Sequence, residues 1–187
     1  MTEEFYETDH WKLLATAKRF LSGADVLRRS AEYQSSKVLF TPVLHLAAHG
    51  IEVLLKANLV GAGLSLDEVR KKYGHDIAAL WSHDLNRLLR DEAASEARKV
   101  WQSAKADGRW QDRFEGDPAK LLEEYLVAIN ALHTAASEYA LRYVAASEMT
   151  APRPHLLIET FLLVSDLCVR QPRALLPSNE LDTAGRR

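Results

Sequence analysis

Four side chains capable of chemistry recur along one apolar stretch: His45, His49, Glu52 and Lys56, at offsets i, i+4, i+7 and i+11. On a helix, at about 100° per residue, they share a stripe roughly 60° wide and about 16 Å long. His45 and His49, one turn apart, could ligate a single metal ion, with Glu52 completing a facial set and His133 joining from another helix. Glu52 and Lys56 stand in the favourable order for an i, i+4 ion pair. That pair either lines the solvent side of the helix or forms a buried bridge that needs further partners. His75, between Gly74 and Asp76, stands where a helix begins; the positive end of the helix dipole suits an anion there, and a purely structural turn role fits equally. Arg142, followed by Tyr143, could hold a phosphate with its guanidinium fork, or simply complement a helix C-terminus. Arg70, with Lys71 and Lys72, is a small basic cluster beside His75 that reads as a solvated face or as an extension of a phosphate-binding patch. Arg109, Trp110, Arg113 and Phe114 interleave basic and aromatic groups that could stack a base or anchor a loop.

The elements that must position these groups are helices. Prolines (6) and glycines (8) are few and fall at punctuation points, and no period-2 alternation is found. A first helix is predicted over about Asp9 to Ser35, with Trp11, Leu14, Ala17, Leu21, Ala24, Leu27 and Ala31 at steps of three and four. The second begins near Val38 or just after Pro42 and stops at Gly61-Ala62-Gly63. It is apolar nearly all round, as the central helix of a bundle is. Ser65-Leu66-Asp67-Glu68 matches a capping box and opens a short helix that Gly74 ends. Asp76 caps a third helix through Leu89, and the segment from Asp91 to Lys105 either continues it or forms a separate piece around Trp101. Asp117-Pro118 pairs an N-cap with an N1 proline and starts a helix expected to run to Ala145. A last helix covers His155 to Val169. The expected fold is an all-α antiparallel bundle of about five helices, one domain over residues 1–170, with a loose tail over 171–187.

Composition narrows the function classes. The 187 residues suit one domain, 47% hydrophobic and 27% charged. Lys plus Arg number 24 against 26 Asp plus Glu, a net charge of −2. Any nucleic-acid site must therefore be a local patch. The single cysteine, Cys168, excludes an internal disulfide or a cysteine-rich zinc site, and its apolar surroundings predict an inert buried thiol. Glu52 and Lys56 interrupt the long apolar stretch, and the acidic N-terminus lacks an apolar signal core. The expectation is a soluble cytoplasmic protein without a membrane span.

Gly50-Ile51-Glu52-Val53-Leu54-Leu55-Lys56-Ala57, the stop at Gly61 to Gly63, Tyr73-Gly74-His75-Asp76-Ile77 opening a helix, and the later Leu141-Arg142-Tyr143 together resemble the HEPN superfamily, over roughly Ala31 to Val169. The resemblance implies a bundle of four or five helices, usually dimerised about a two-fold axis. Many members are metal-independent RNases of toxin–antitoxin, abortive-infection or CRISPR systems, and others are non-catalytic binding modules. The catalytic members carry Arg, four to six residues, then His near the start of the last conserved helix. This chain departs from that pattern: its only pair at such spacing is Arg70 to His75, and Arg142 is followed by no histidine until His155.

The expected function is thus a HEPN-like protein, non-catalytic or atypical, that binds RNA, a nucleotide or a protein partner such as an antitoxin in a stress or defence setting. It is expected as a homodimer and without a cofactor. Its binding residues would be Glu52, Lys56, Arg70 and Tyr143, with His75 and Arg142 in the catalytic positions if it cleaves. The alternatives are a metal-independent endoribonuclease acting through His75, and a metal-binding bundle, which would then resemble DinB-like proteins, with His45, His49 and His133 as ligands. A purely structural dimeric protein, its polar stripe the interface, is the fourth reading.

Overall fold

A computed structural model describes residues 3–110, 113–135, 138–142 and 151–177. Among the described residues the secondary structure is entirely helical. The helices run α1 (Glu3–Tyr6), α2 (Asp9–Arg28), α3 (Ala31–Ser35), α4 (Phe40–Gly61), α5 (Leu66–Tyr73), α6 (Ile77–Ser82), α7 (Arg87–Ala106), α8 (Pro118–His133) and α9 (Pro154–Arg170), with one 3-10 turn at Asp84–Asn86.

Helix starts follow local side-chain chemistry. Thr8 caps α2 by accepting from the Trp11 amide. Ser65 and Glu68 form the reciprocal capping box of α5. Asp76 caps α6 through the Ala79 amide, and Asp117 caps α8, with Pro118 in its first turn. Asp117 also receives a two-pronged ion pair from Arg98 of α7, which fixes the start of α8 against its neighbour.

Helix α4 is the axis of the molecule. From Val43 to Leu59 nearly every residue is buried, including Glu52, Lys56 and Asn58. Its most extensive contact is with α2, and α5, α6, α8 and α9 cover the rest. The α2–α4 pairing is antiparallel: Gly50 faces Leu21, and Gly61 faces His10. A Cβ at Gly50 would stand 2.8 Å from Leu21 Cγ and 3.2 Å from its backbone nitrogen, so glycine is what lets the two backbones approach. Helix α4 is also the one described helix long and apolar enough to cross a membrane, but 78% of its apolar window is buried inside the protein.

Two buried asparagines lock α6 and the 3-10 turn onto α4. Asn58 Nδ2 donates to the Leu85 carbonyl at 2.9 Å and to Asn86 Oδ1 at 3.0 Å, and Asn86 Nδ2 donates to the Leu80 carbonyl at 2.8 Å. Each satisfies a polar group that would otherwise be stranded in the core.

The structure corrects three element boundaries. The expected first helix breaks at Arg29-Ser30, where Ser30 caps the short α3. The expected third helix breaks at His83, whose extended backbone ends α6 and whose Nδ1 accepts from the Leu85 amide; the chain then runs on as α7 to Ala106. The helix expected from Pro118 to Ala145 ends at His133, where Thr134 is extended and Glu138 and Tyr139 take positive φ values of 52° and 57°. Arg142 therefore sits in a turn beyond α8 and not at the end of one long helix; Tyr143 lies outside the described residues. Beyond α9, residues 171–177 form turns and Leu175 is buried in the core. Cys168 is buried, and burial pushes its thiol up to about 12, as an inert thiol requires.

Candidate functional site

The site is built around one carboxylate. Glu52 lies on the buried middle of α4, its side chain 3% exposed. One turn on, Lys56 Nζ donates to Glu52 Oε1 at 2.6 Å and also to the carbonyl of Gly74. Gly74 is the C-cap of α5 with φ +50° and ψ −113°, a backbone conformation that L side chains rarely adopt. That turn swings the next residue, His75, over Glu52.

The second carboxylate oxygen gathers imidazoles. His133 Nε2 lies 2.7 Å from Glu52 Oε2 and His75 Nδ1 lies 3.1 Å from it. An ionised carboxylate only accepts, so both ring nitrogens carry their protons and donate. His49 Nδ1 is 3.6 Å away, close enough to interact electrostatically but beyond hydrogen-bonding distance. Burial alone would push the Glu52 carboxyl up. The hydrogen bonds from His133 and Lys56, with His49 alongside, outweigh that and hold it well below the usual carboxylate range. His45 stacks beside this group, its ring 6.3 Å from His49 and 6.1 Å from His133. Burial first, then repulsion from its neighbours, the Arg142 guanidinium among them, lowers its pKa.

Arg142 closes the outer side. Its Nη2 is nearly equidistant from the two nitrogens of His75, at 3.3 and 3.4 Å. A donor on one in-plane lone pair could not be equally far from both, so the guanidinium lies against the ring and not on one nitrogen. Its Cζ also stands 5.1 Å from the Tyr139 ring centroid, a cation–π contact. His75 is held edge-on between His133 and Tyr139. Glu52 cancels Lys56, and the Arg142 guanidinium is a further positive charge exposed to solvent.

The turn that carries His75 is held from across the bundle. Asn130 Oδ1, on α8, accepts from the amides of Ile77 at 2.7 Å and Ala78 at 3.3 Å. Asn130 thus satisfies two donors at the start of α6 that intrahelical bonds leave open.

Of the residues expected to act, the structure brings together Glu52, Lys56, His75 and Arg142, with His45, His49 and His133 around them. The Glu52–Lys56 pair is a buried bridge with partners, not a solvated stripe. Arg70 lies exposed on α5 and its side chain makes none of these contacts. The basic-aromatic stretch after α7 anchors a loop: Trp110 and Phe114 pack on Trp101, and Arg109 pairs with Asp107 and Glu159. Asn130 and Tyr139 were not singled out in the sequence. Asn130 carries no local signal, because the amides it caps lie 53 and 52 residues away. Comparison with protein-family models, curated proteins and solved structures gives no match to this chain.

Proposed function

We infer that the chain is a HEPN-like helical protein, non-catalytic or atypical, whose Glu52-centred site binds a phosphate group of RNA or of a nucleotide in a stress or defence setting. The observation that carries this reading is the charge arrangement. The buried Glu52 carboxylate is engaged from within by Lys56, His133 and His75, while the exposed Arg142 guanidinium rests on the His75 ring and supplies the outward charge. A neutralised interior behind an exposed guanidinium favours an anion. The homodimer and an antitoxin-like partner belong to the same reading and rest on the family resemblance.

The test is binding of a labelled RNA pool and of nucleotides, followed by fluorescence anisotropy. Arg142→Ala is the clean variant, because Arg142 is exposed and its loss leaves the buried bridge intact. A charge-assisted contact contributes about 1.5–3 kcal/mol, so affinity should fall about tenfold or more. Unchanged affinity in Arg142→Ala would overturn the reading.

A second reading is a metal-independent endoribonuclease. It is favoured by one detail: His75 donates from Nδ1 to Glu52, which leaves the Nε2 lone pair as an acceptor beside Arg142. An imidazole oriented by a carboxylate is the arrangement a general base needs. Cleavage of the RNA pool in EDTA, lost in His75→Ala, would establish it; no cleavage by folded wild type leaves the binding reading.

A further inference from the structure

We propose that the inner half of this cluster is a binding site for a divalent transition-metal ion of the zinc class, held by His49, Glu52 and His133. The proposal shares its site with the phosphate-binding reading but does not require it.

Three observations carry it. First, ligand atoms of these three residues lie within 4.8 Å of one another, the one such group among the described residues. Second, the donor spacing suits a small tetrahedral ion. With bonds of about 2.0–2.2 Å, tetrahedral ligands sit roughly 3.3 Å apart. Here Glu52 Oε2 lies 2.7 Å from His133 Nε2 and 3.6 Å from His49 Nδ1, values that bracket this separation. Third, the imidazoles are not fully used by the protein. Nδ1 of His49, a proposed ligand atom, and Nδ1 of His45 and of His133 beside it are buried and lack a hydrogen-bond partner among the described residues. Buried ring nitrogens without partners cost stability and ask for a reason. Of the three, only His49 Nδ1 would be filled by the ion: His133 would ligate through Nε2, and His45 is not a ligand.

Two nitrogens and one carboxylate oxygen form the donor set of zinc-class sites, whereas magnesium and calcium prefer oxygen throughout. The exchange is balanced. His133 now donates a proton from Nε2 to Glu52; on metal binding Nε2 becomes a ligand and the imidazole proton moves to Nδ1. Oε2 has a second lone pair, so His75 keeps its hydrogen bond and becomes an outer-shell partner of the ligating carboxylate. Lys56 stays on Oε1. Lys56 and Arg142 both oppose a dication, so the ion expected is an exchangeable one and not a locked structural zinc. Three protein ligands leave a fourth position for water or a ligand oxygen. Arg142 is the neighbour that favours an anionic one.

The experiment uses the full chain, stripped with EDTA and dialysed, then titrated with Co(II). The wild type should take up one equivalent and show the visible d–d bands of a four-coordinate site, and Zn(II) should displace them. His49→Ala removes a partly exposed ligand, so the fold should survive, while cobalt affinity drops about 100-fold or is lost. As a second measurement, zinc should raise the wild-type Tm and leave that of Glu52→Gln unchanged. Absence of cobalt bands in the wild type, or bands unaltered in His49→Ala, overturns the site. RNA or nucleotide binding is measured separately in EDTA. Retained RNA binding without cobalt uptake removes the metal site alone; cobalt uptake without RNA or nucleotide binding removes the phosphate reading alone.

Discussion

Glu52 and His133 stand 81 residues apart in sequence and 2.7 Å apart in space, and the contact joins the centre of α4 to the last residue of α8. Removing the carboxylate would leave the Lys56 ammonium and the His133 N–H buried without their acceptor. Breaking a buried ion pair from one side costs about 3–5 kcal/mol. Glu52→Ala should therefore be destabilised by roughly 3 kcal/mol or more in urea unfolding. A loss under about 1 kcal/mol would show that water reaches the cluster and that the bridge is a surface pair.

Asn130 offers a test of positioning without touching the site. Asn130→Ala removes the acceptor of two amides at the start of α6, at a cost of about 1–2 kcal/mol, as for the loss of a helix cap. It should also loosen the turn that presents His75. Amide exchange at residues 75–78 should speed up more than exchange in α2, and equal change in both regions would count against a local role.

Gly50→Ala tests the close approach of α2 and α4. The added methyl would meet Leu21 at its side chain and at its backbone, which cannot swing away. Overpacking of this kind costs about 1–3 kcal/mol, read as a fall in Tm. A neutral or stabilising result, as ordinary helix propensity would give for glycine to alanine, would mean that the two helices separate easily.

Acid should weaken the fold in two stages. His45 and His10 both have their pKa lowered by burial, so the unfolded chain binds more protons below their ordinary 6.5 and stability falls as pH drops through that value. Glu52 has its pKa lowered from an ordinary 4.5, so its contribution is present above that value and is lost as pH falls further. Each proton of difference corresponds to about 1.4 kcal/mol per pH unit. Urea midpoints from pH 8 to pH 4 should therefore decline from near pH 6.5 downward. A flat profile there would show that neither histidine is protected from water.

Much of this architecture was legible in the chain because its signals are local. Ser65 with Glu68, Asp76, and Asp117 with Pro118 each mark a helix start through chemistry within three residues. The i, i+7 and i+11 spacing placed Glu52 and Lys56 on the face of His45. What stayed hidden depends on tertiary contacts. Apolar residues at Leu132, Ala136 and Tyr139 continue a helical period, yet α8 stops at His133 and the chain turns through two residues of positive φ that bring Arg142 onto His75. His83 has no breaker signature, but its ring caps the following turn and ends α6. The spacing left a solvated and a buried Glu52–Lys56 pair both open, because the second acceptor of Lys56 is a backbone carbonyl that no local pattern marks.

The central position of α4 also constrains how the protein is made. Once residue 61 has been synthesised, α2 can close on α4, but Glu52 then has only Lys56 and His49 for company. His75 follows soon after, whereas His133 must wait for a further 58 residues, and α9 comes later still. At about 5–20 residues per second, translation leaves the apolar flank of α4 and the Glu52 oxygen that His133 will bond uncovered for several seconds. The nascent chain thus exposes, until α8 and α9 emerge, a sticky face of the kind that holdase chaperones bind. A message broken before the codons for α8 would yield a product fit for proteolysis and not a smaller working protein.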